Sequence, residues 1–543
     1  LTEERVYGAS ALARGALEAG VSLVFGYPGS PVTPVVNRIL ELTSPDEVQV
    51  EWSSNEKVAA EIALGASVSG VRSLLCVKSV GLNIALDPLM VANLSGCNAG
   101  FVILAGDDPG SWGSQNEQDS RALALATELP VLEPTTVADA RAAMRWAFRL
   151  SEEAGLPILV RITRALVLAE SQVLGVPQSL PSVPPPAYQR EFMRWVVLPV
   201  NVVERHRQLH QRLESVRAWS EDSVFNGVEG EGACGVIAAG FTYQKFLDLL
   251  GGSVPPQLRV LRLGTFHPLP VKLVEGFLRS VESIIVLEET APLVEAAVRA
   301  TAQAAGLILP VRGRDDGLIP RTGELFAPHI AAALNEVLPE PALPTNGESG
   351  RPMPSRSPLC EGCPYIPTFD ALLEAIERRG GREEFVVVGD PGCMVRCQME
   401  PYELLDVKYS LGSSIGVASG IALSQTGKRV VAVCGDSGFL HSGFGGLMDA
   451  ARLGASMLVL ILDNGTTALS GGQPHPASRV DSRGRPQRSV DMAALARETG
   501  AHSVRVVDLD AGEDIRVAIE AGMESDGLGV IIARGLCPRW PGS

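Results

Sequence analysis

Apolar residues fall into short runs along this chain, and nearly every run stops at a cluster of glycine and small polar residues. Residues 430–434 and 457–462 are apolar and rich in β-branched side chains, and they stop at Gly435-Asp436-Ser437 and at Asp463-Asn464-Gly465. Residues 444–453, between them, have helical spacing, so the stretch reads as two parallel strands joined by a helix. The pattern recurs. Strands are predicted at 21–25, 48–52, 74–77, 101–105 and 158–162, then at 235–239, 259–263 and 283–287, and finally at 385–388 and 530–533. Helices are predicted at 9–19, from Asn55 and Glu56 onward, and at 203–219, 291–305 and 368–378. Strands alternating with helices predict an α/β fold of several doubly wound, mostly parallel sheets. Two stretches break the pattern: residues 174–186 are rich in proline and serine, and 342–358 in glycine, proline and serine, so both read as linkers. They divide the chain into regions 1–175, 176–345 and 346–543. The middle region shows no cluster of chemically active residues and reads as a packing or interface domain.

The chain has 543 residues, too many for one domain, and its 46% hydrophobic content suffices for large buried cores. A net charge of −16 leaves no basic surface for nucleic acid. No apolar stretch is long enough to span a membrane. The N-terminal stretch is an amphipathic helix with acids and an early arginine, without the apolar core of a signal peptide. A cytoplasmic protein is expected. Nine scattered cysteines argue against a disulfide framework and for cofactor ligands or buried thiols.

Asp436 and Asn464 stand 28 positions apart, each just past the carboxyl end of a predicted strand. Open α/β sheets bind ligands at that edge. Both residues are hard oxygen donors of the kind Mg²⁺ takes together with phosphate oxygens, and the helix after Ser437 offers backbone N–H groups to an anion. The stretch therefore describes a site for Mg²⁺ and a diphosphate; turn and cap residues are the competing reading. Gly26-Tyr27-Pro28-Gly29-Ser30-Pro31 forms a second fixed turn with accessible backbone. Cys360 and Cys363 form a CxxC ahead of a helix, Cys393 follows a strand with Cys397 four residues later, and Cys537 follows the last strand. An Fe–S cluster needs four thiolates from converging loops, and Cys360, Cys363, Cys393 and Cys537 meet if their strands are neighbours. Three other readings remain open. Free cysteines act as small buried hydrophobes, as read for Cys76, Cys97, Cys234 and Cys434. A Cys₄ zinc site usually has two close pairs, and a lone CxxC can be a redox dithiol.

Long ordered stretches carry a resemblance: GYPGSP at Gly26, NEKVAAEIALGAS at Asn55, VGLNIALDPLM at Val80, DDPG at Asp107 and SQNEQDSR at Ser114. It continues with CEGCP at Cys360, LGSSIGVASG at Leu411, GDSGFLHSG at Gly435 and LDNGTTALSGGQPHP at Leu462. The chain resembles the large, thiamine diphosphate-dependent subunit of indolepyruvate:ferredoxin oxidoreductases, within the 2-oxoacid:ferredoxin oxidoreductases. The resemblance implies a thiamine diphosphate-binding fold. Residues 1–175 would bind the pyrimidine, 176–345 would form a middle domain like the transketolase C-terminal one, and 346–543 would bind the diphosphate. It implies Mg²⁺ on Asp436, Asn464 and the Thr466 carbonyl, and cofactor contacts from Gly26, Tyr27, Pro28, Gly29, Ser30, Gly435, Asp436 and Ser437. It gives Glu56 the hydrogen bond to the aminopyrimidine; a first-turn acid complementing the helix dipole is the competing reading. It assigns a [4Fe–4S] cluster to Cys360, Cys363, Cys393 and Cys537, with Cys397 as rival for Cys393. His441 and His475 hold motif positions suited to acid–base work, against the reading of hydrogen-bonded structural histidines.

The implied reaction is oxidative decarboxylation of a 2-oxoacid to an acyl-CoA, with coenzyme A as co-substrate. The implied partners are a smaller subunit in a dimer of heterodimers and a ferredoxin or other acceptor. The family's large subunit usually adds a C-terminal ferredoxin-like domain with two runs of closely spaced cysteines. No such runs occur up to Ser543, so electrons are expected to leave through another protein. Ser79 and Gly472 stand where the family often has histidine, in segments expected near the substrate. Non-oxidative decarboxylation to an aldehyde, or carboligation, is the alternative chemistry. An inactive scaffold subunit is the third reading, against which intact Glu56, Asp436 and Asn464 argue.

Overall fold

A computed structural model of the chain describes residues 3–174, 186, 188–338, 342–347, 350 and 358–540. The predicted linker 174–186 falls largely outside these described residues, and 342–358 falls outside them at 348–349 and 351–357. The chain forms two compact units, one of Leu1–Val50 with Glu56–Met353, the other of Glu51–Asn55 with Pro354–Ser543. Regions 1–175 and 176–345 thus share the first unit.

One sheet of that unit has seven strands, ordered Thr265–His267, Val131–Leu132, Ile158–Thr163, Phe101–Asp107, Ser73–Lys78, Leu23–Gly26 and Gln49–Trp52. Its inner pairs are parallel. Thr265–His267 comes from the middle region and adds an antiparallel edge. A five-stranded sheet runs Val311–Arg312, Ser283–Leu287, Cys234–Ala239, Leu258–Leu263, Asn226–Glu229, antiparallel at the last pair. Glu3–Tyr7 and Glu170–Leu174 make a separate antiparallel pair.

The middle region is more than packing. Glu288 and Glu289, just past Ser283–Leu287, join a buried ionic network with the first sheet. Arg161, on Ile158–Thr163, reaches Asp107 at 2.6 Å, Glu133 at 2.7 Å and the Glu289 carbonyl at 2.6 Å. Arg121 reaches Asp119 at 2.7 Å and Glu288 at 3.0 Å. Burial pushes the Asp107 and Glu288 carboxyls up. Burial would also raise Asp119, but Arg121 and Arg161 hold it below the usual carboxylate range.

The second unit contains six parallel strands in the order Val407–Lys408, Phe385–Gly389, Arg429–Gly435, Met457–Asp463, Leu528–Arg534 and Ser503–Asp508. Successive side chains of a strand point to opposite faces. Val431, Val433, Leu458, Leu460 and Leu462 enter one core cluster. Val430, Ala432, Cys434, Met457, Val459 and Ile461 enter the other. A sheet covered on both faces needs continuous apolar runs, which is why these strands show no polar alternation. Each fully buried valine, leucine or isoleucine contributes about 1.5–3 kcal/mol. The chain leaves Phe385–Gly389 for the edge strand on one side and returns as Arg429–Gly435 on the other. A crevice therefore opens between the carboxyl ends of these two strands, at a topological switch point.

Strand ends extend one or two residues past prediction in several places: 430–434 is Arg429–Gly435 and 457–462 is Met457–Asp463. The helix predicted at 368–378 begins at Tyr365, because Pro367 sits in its first turn, where a missing N–H costs no internal hydrogen bond. The strand predicted at 74–77 is Ser73–Lys78, and the helix Ser79–Ser95 starts directly after it. Among the described residues, no helix is long and apolar enough to cross a membrane.

Candidate active site

Asp436 follows Arg429–Gly435 and is 2% exposed. Its Oδ2 accepts the backbone N–H of Asn464 at 3.0 Å and of Gly465 at 2.9 Å, and its Oδ1 accepts that of Ser437 at 2.7 Å. The ends of two neighbouring strands are thereby locked together. A carboxylate offers about four lone-pair positions, so three N–H donors leave room for a cation. Asn464 turns its Oδ1 to the Thr466 N–H at 3.1 Å and its Nδ2 to the Tyr365 hydroxyl at 2.7 Å. The Thr466 carbonyl accepts one N–H, from Ala468, and keeps a second lone pair.

The helix after the turn starts at Asp436, widens into a π-turn over Phe439–Gly443 and continues as Phe444–Leu453. Such turns mark functional positions in many helices. This one carries His441, buried, with Nδ1 3.1 Å from the Ser442 hydroxyl. Close packing at the turn demands small residues: a Cβ on Gly438 would stand 2.7 Å from the Asp390 carboxylate. His475 Nε2 lies 3.2 Å from Asp436 Oδ2, off the axis of a hydrogen bond. Burial would lower this imidazole, but Asp436 beside it carries it above the usual histidine value. His475 Nε2 and Thr467 Oγ1 are buried without a hydrogen-bond partner, and unsatisfied polar atoms at one place call for a polar ligand.

The cysteines gather nearby. Burial pushes the Cys393 thiol up to about 12, with Cys363, Cys537 and Cys360 close enough to add to the rise. Cys363 is likewise raised by burial, with Cys360 and Cys537 adding. Cys397, fully buried, is raised by burial with Arg382 as its charged neighbour and none of the other thiols. Sequence-predicted Cys360, Cys363, Cys393 and Cys537 are therefore neighbours in space, and Cys397 points into the core cluster. No three of these sulfurs lie within 4.8 Å of one another. The Cys537 N–H donates to the Asn464 carbonyl at 3.2 Å, so one hydrogen bond ties this group to the Asp436 turn.

Residues 390–533 match the family described as "Thiamine pyrophosphate enzyme, C-terminal TPP binding domain", and 14–180 match "Pyruvate flavodoxin/ferredoxin oxidoreductase, thiamine diP-bdg". Indolepyruvate oxidoreductase subunit IorA of Pyrococcus abyssi is 32% identical, over 98% of this chain and 85% of its own length. Subunit IorA of Methanothermobacter thermautotrophicus is 34% identical, over 98% and 86%. This chain belongs to the IorA family of indolepyruvate oxidoreductase subunits. Membership makes it the catalytic subunit of a thiamine diphosphate-dependent 2-oxoacid oxidoreductase. A solved structure, 2-oxoglutarate:ferredoxin oxidoreductase from Magnetococcus marinus with 2-oxoglutarate, coenzyme A and succinyl-CoA bound, aligns over 57% of this chain and 62% of its own. The TM-score is 0.48 and the identity 17%.

Other residues matched to the IorA family motifs lie in the first unit. Glu56 opens the helix Glu56–Val68 and is 6% exposed. A Cβ on Gly81 would stand 2.4 Å from its Oε1, so Gly81 makes room for the carboxylate. Gly26 ends a strand where a Cβ would meet the Cys76 carbonyl at 2.2 Å, Tyr27 and Pro28 are buried, and the Gly29 N–H donates to the Thr33 hydroxyl at 2.8 Å, next to exposed Ser30. Ser79 is buried at a helix start. In the second unit, Gly472 has a φ of +79° and a Cβ there would stand 2.3 Å from the Trp540 ring, so the indole takes the space a histidine would need.

Sequence reasoning missed three residues at this site. Asp390, buried, accepts N–H groups of Gly412 at 2.7 Å and Ser414 at 2.8 Å and braces the turn after Gly389. Its Gly-Asp-Pro-Gly setting ahead of Cys393 is that of an ordinary turn. Tyr365 was hidden behind Pro367, and Trp540 lies past the last strand; neither carries a local signal.

Proposed function

We propose that this subunit oxidatively decarboxylates an aromatic or otherwise bulky 2-oxoacid, transfers the acyl group to coenzyme A, and sends two electrons through one [4Fe–4S] cluster to a ferredoxin or similar acceptor. One observation carries the reading. Asn464 touches both halves of the machinery: its N–H meets Asp436, its carbonyl meets the Cys537 N–H, and its amide meets Tyr365, two residues after Cys363.

Mg²⁺ would be held by Asp436, Asn464 and the Thr466 carbonyl, and the diphosphate by backbone at Gly435, Asp436 and Ser437. Glu56 and the turn from Gly26 to Ser30 are proposed to meet the pyrimidine. Residues 1–175 and 346–543 are the corresponding binding domains, and 176–345 the middle one. When bound, thiamine diphosphate supplies a nucleophilic carbon and an electron sink. The cluster, on Cys360, Cys363, Cys393 and Cys537, supplies a one-electron carrier. Glu56, buried at its helix start, would share a proton with the aminopyrimidine. His441 and His475 would hold or move a proton at the substrate.

The relatives' printed name, indolepyruvate oxidoreductase, supports an aryl side chain, and their description as a subunit supports a smaller partner in a dimer of heterodimers. A cytoplasmic location completes the proposal. The test is anaerobic purification with the smaller partner subunit, followed by iron and thiamine assay and dye reduction dependent on indolepyruvate and coenzyme A. Dye reduction with bound iron supports the proposal. Aldehyde release without dye reduction would favour the non-oxidative alternative, and absence of bound thiamine would make this a non-catalytic subunit.

A further inference from the structure

Outside the site described above, Glu128, His206 and His210 bring one ligand atom each to within 4.8 Å of one another. His206 and His210 lie four residues apart on the helix Val202–Glu221 and so share a face. Their ring centroids are 4.5 Å apart. Leu209, Leu213 and Val216 bury the adjoining face of this helix, which fixes the side from which the imidazoles project. His206 Nε2 lies 2.5 Å from Glu128 Oε2, and His210 Nε2 lies 2.8 Å from Glu128 Oε1.

Glu128 itself is held unusually. It follows the helix Ser120–Ala126 and its cap Thr127, at the position where glycine or asparagine normally takes the left-handed conformation. Its φ is +52°. A β-carbon in that region costs about 1–2 kcal/mol, and the structure keeps a glutamate there. The side chain, and not the turn, accounts for the residue.

We propose that Glu128, His206 and His210 form a binding site for a divalent cation of the zinc type. Two histidines at i and i+4 on one helix face plus a carboxylate are a zinc donor set, and three protein ligands leave a fourth position for water. That position is open: the side chains are 48%, 58% and 32% exposed for His206, His210 and Glu128. The cation would act as a clip. Glu128 and His206 are separated by 78 positions, and the segment between them includes the predicted linker at 174–186. A bound ion closes that loop and fastens the helix Val202–Glu221 to the turn after Ser120–Ala126. The competing state is the metal-free one, a carboxylate hydrogen-bonded by two imidazoles.

The test uses the whole subunit with its cluster reconstituted and with Mg²⁺ and thiamine diphosphate saturating, so that the cysteine and Asp436 sites are occupied. Zn²⁺ is titrated under argon against a chromophoric chelator, for wild type, His206→Ala and Glu128→Gln. Wild type should take up one more Zn²⁺ per chain than His206→Ala. Glu128→Gln, which keeps the shape and loses the charge, should bind at least about tenfold more weakly. Zn²⁺ should raise the thermal midpoint of wild type and leave that of His206→Ala unmoved. Basal oxidoreductase activity should be equal in all three, which shows that the variants fold. Superimposable binding curves for wild type and His206→Ala overturn the proposal, as does a wild-type Kd above about 1 mM.

Discussion

At the scale of single residues the site is a set of backbone donors captured by carboxylates. Asp436 orders the start of the Asn464 loop, so its removal should cost more than one metal contact. Asp436→Ala should weaken thiamine diphosphate retention about 100-fold or more, the upper range for disturbing a metal site, while the far-ultraviolet circular dichroism stays native. Equilibrium dialysis with labelled cofactor measures this, and unchanged affinity would remove Asp436 from the site. Glu56 acts differently. Glu56→Gln keeps the shape beside Gly81, so cofactor should still bind. Exchange of the thiazolium C2 proton, followed by NMR, should fall about 100-fold or more, because a neutral amide cannot exchange a proton as a carboxylate does. Wild-type exchange in that variant would return Glu56 to a helix-dipole role.

At the scale of elements, the loops past the parallel strands hold the candidate site residues, and they were unequally legible. Residues 430–434 and 457–462 were readable as strands because both faces of their sheet are buried, which leaves a continuous apolar run. Thr265–His267 and Asn226–Glu229 were not: three or four residues hold too little periodicity, and tertiary pairing alone makes them strands. The π-turn at Phe439–Gly443 has ordinary helical composition and no local mark. Asp436 and Asn464 were legible through their spacing; Asp390 looked like any turn aspartate, since its partners Gly412 and Ser414 are more than twenty positions away. The cysteines divide by the same logic. Cys397 sits in the core while Cys537 closes the group, so Cys397→Ser should retain about four irons per chain, the content of one cubane. Cys537→Ser should lose them or hold them weakly. Iron and sulfide assays on anaerobic protein decide, and the reverse result would exchange Cys393 for Cys397 among the ligands.

For the molecule as a whole, stability of the first unit depends on charges taken out of water. Arg161 has three acidic neighbours and no solvent. Arg161→Met takes from the buried Asp107 carboxylate its ion-pair partner and should cost roughly 3–5 kcal/mol. Arg149→Ala, which breaks an exposed pair with Glu153, should cost at most about 0.5 kcal/mol. Urea midpoints for the two variants compare them directly, and equal shifts would mean that the buried network is energetically idle. Acid should act on the same unit through His267. Burial, with Arg217 adding and Glu128 opposing, lowers this imidazole from 6.5 to about 4. Above pH 6.5 it is neutral in both folded and unfolded chains, so its contribution is complete. As pH falls toward 4 the unfolded chain takes the proton first, and stability drops by at most roughly 3 kcal/mol. His267→Gln should flatten that part of the stability–pH curve; an unchanged curve would assign the acid sensitivity elsewhere. The second unit has a different vulnerability, in time. Its strand Leu528–Arg534 is inserted between Met457–Asp463 and Ser503–Asp508, and Cys537 follows directly. On the ribosome, where the N-terminal part folds first, that sheet lacks an interior strand even after both of its neighbours have been translated. A nascent chain halted between Asp508 and Leu528 would hold Met457–Asp463 and Ser503–Asp508 with an unfilled gap between them.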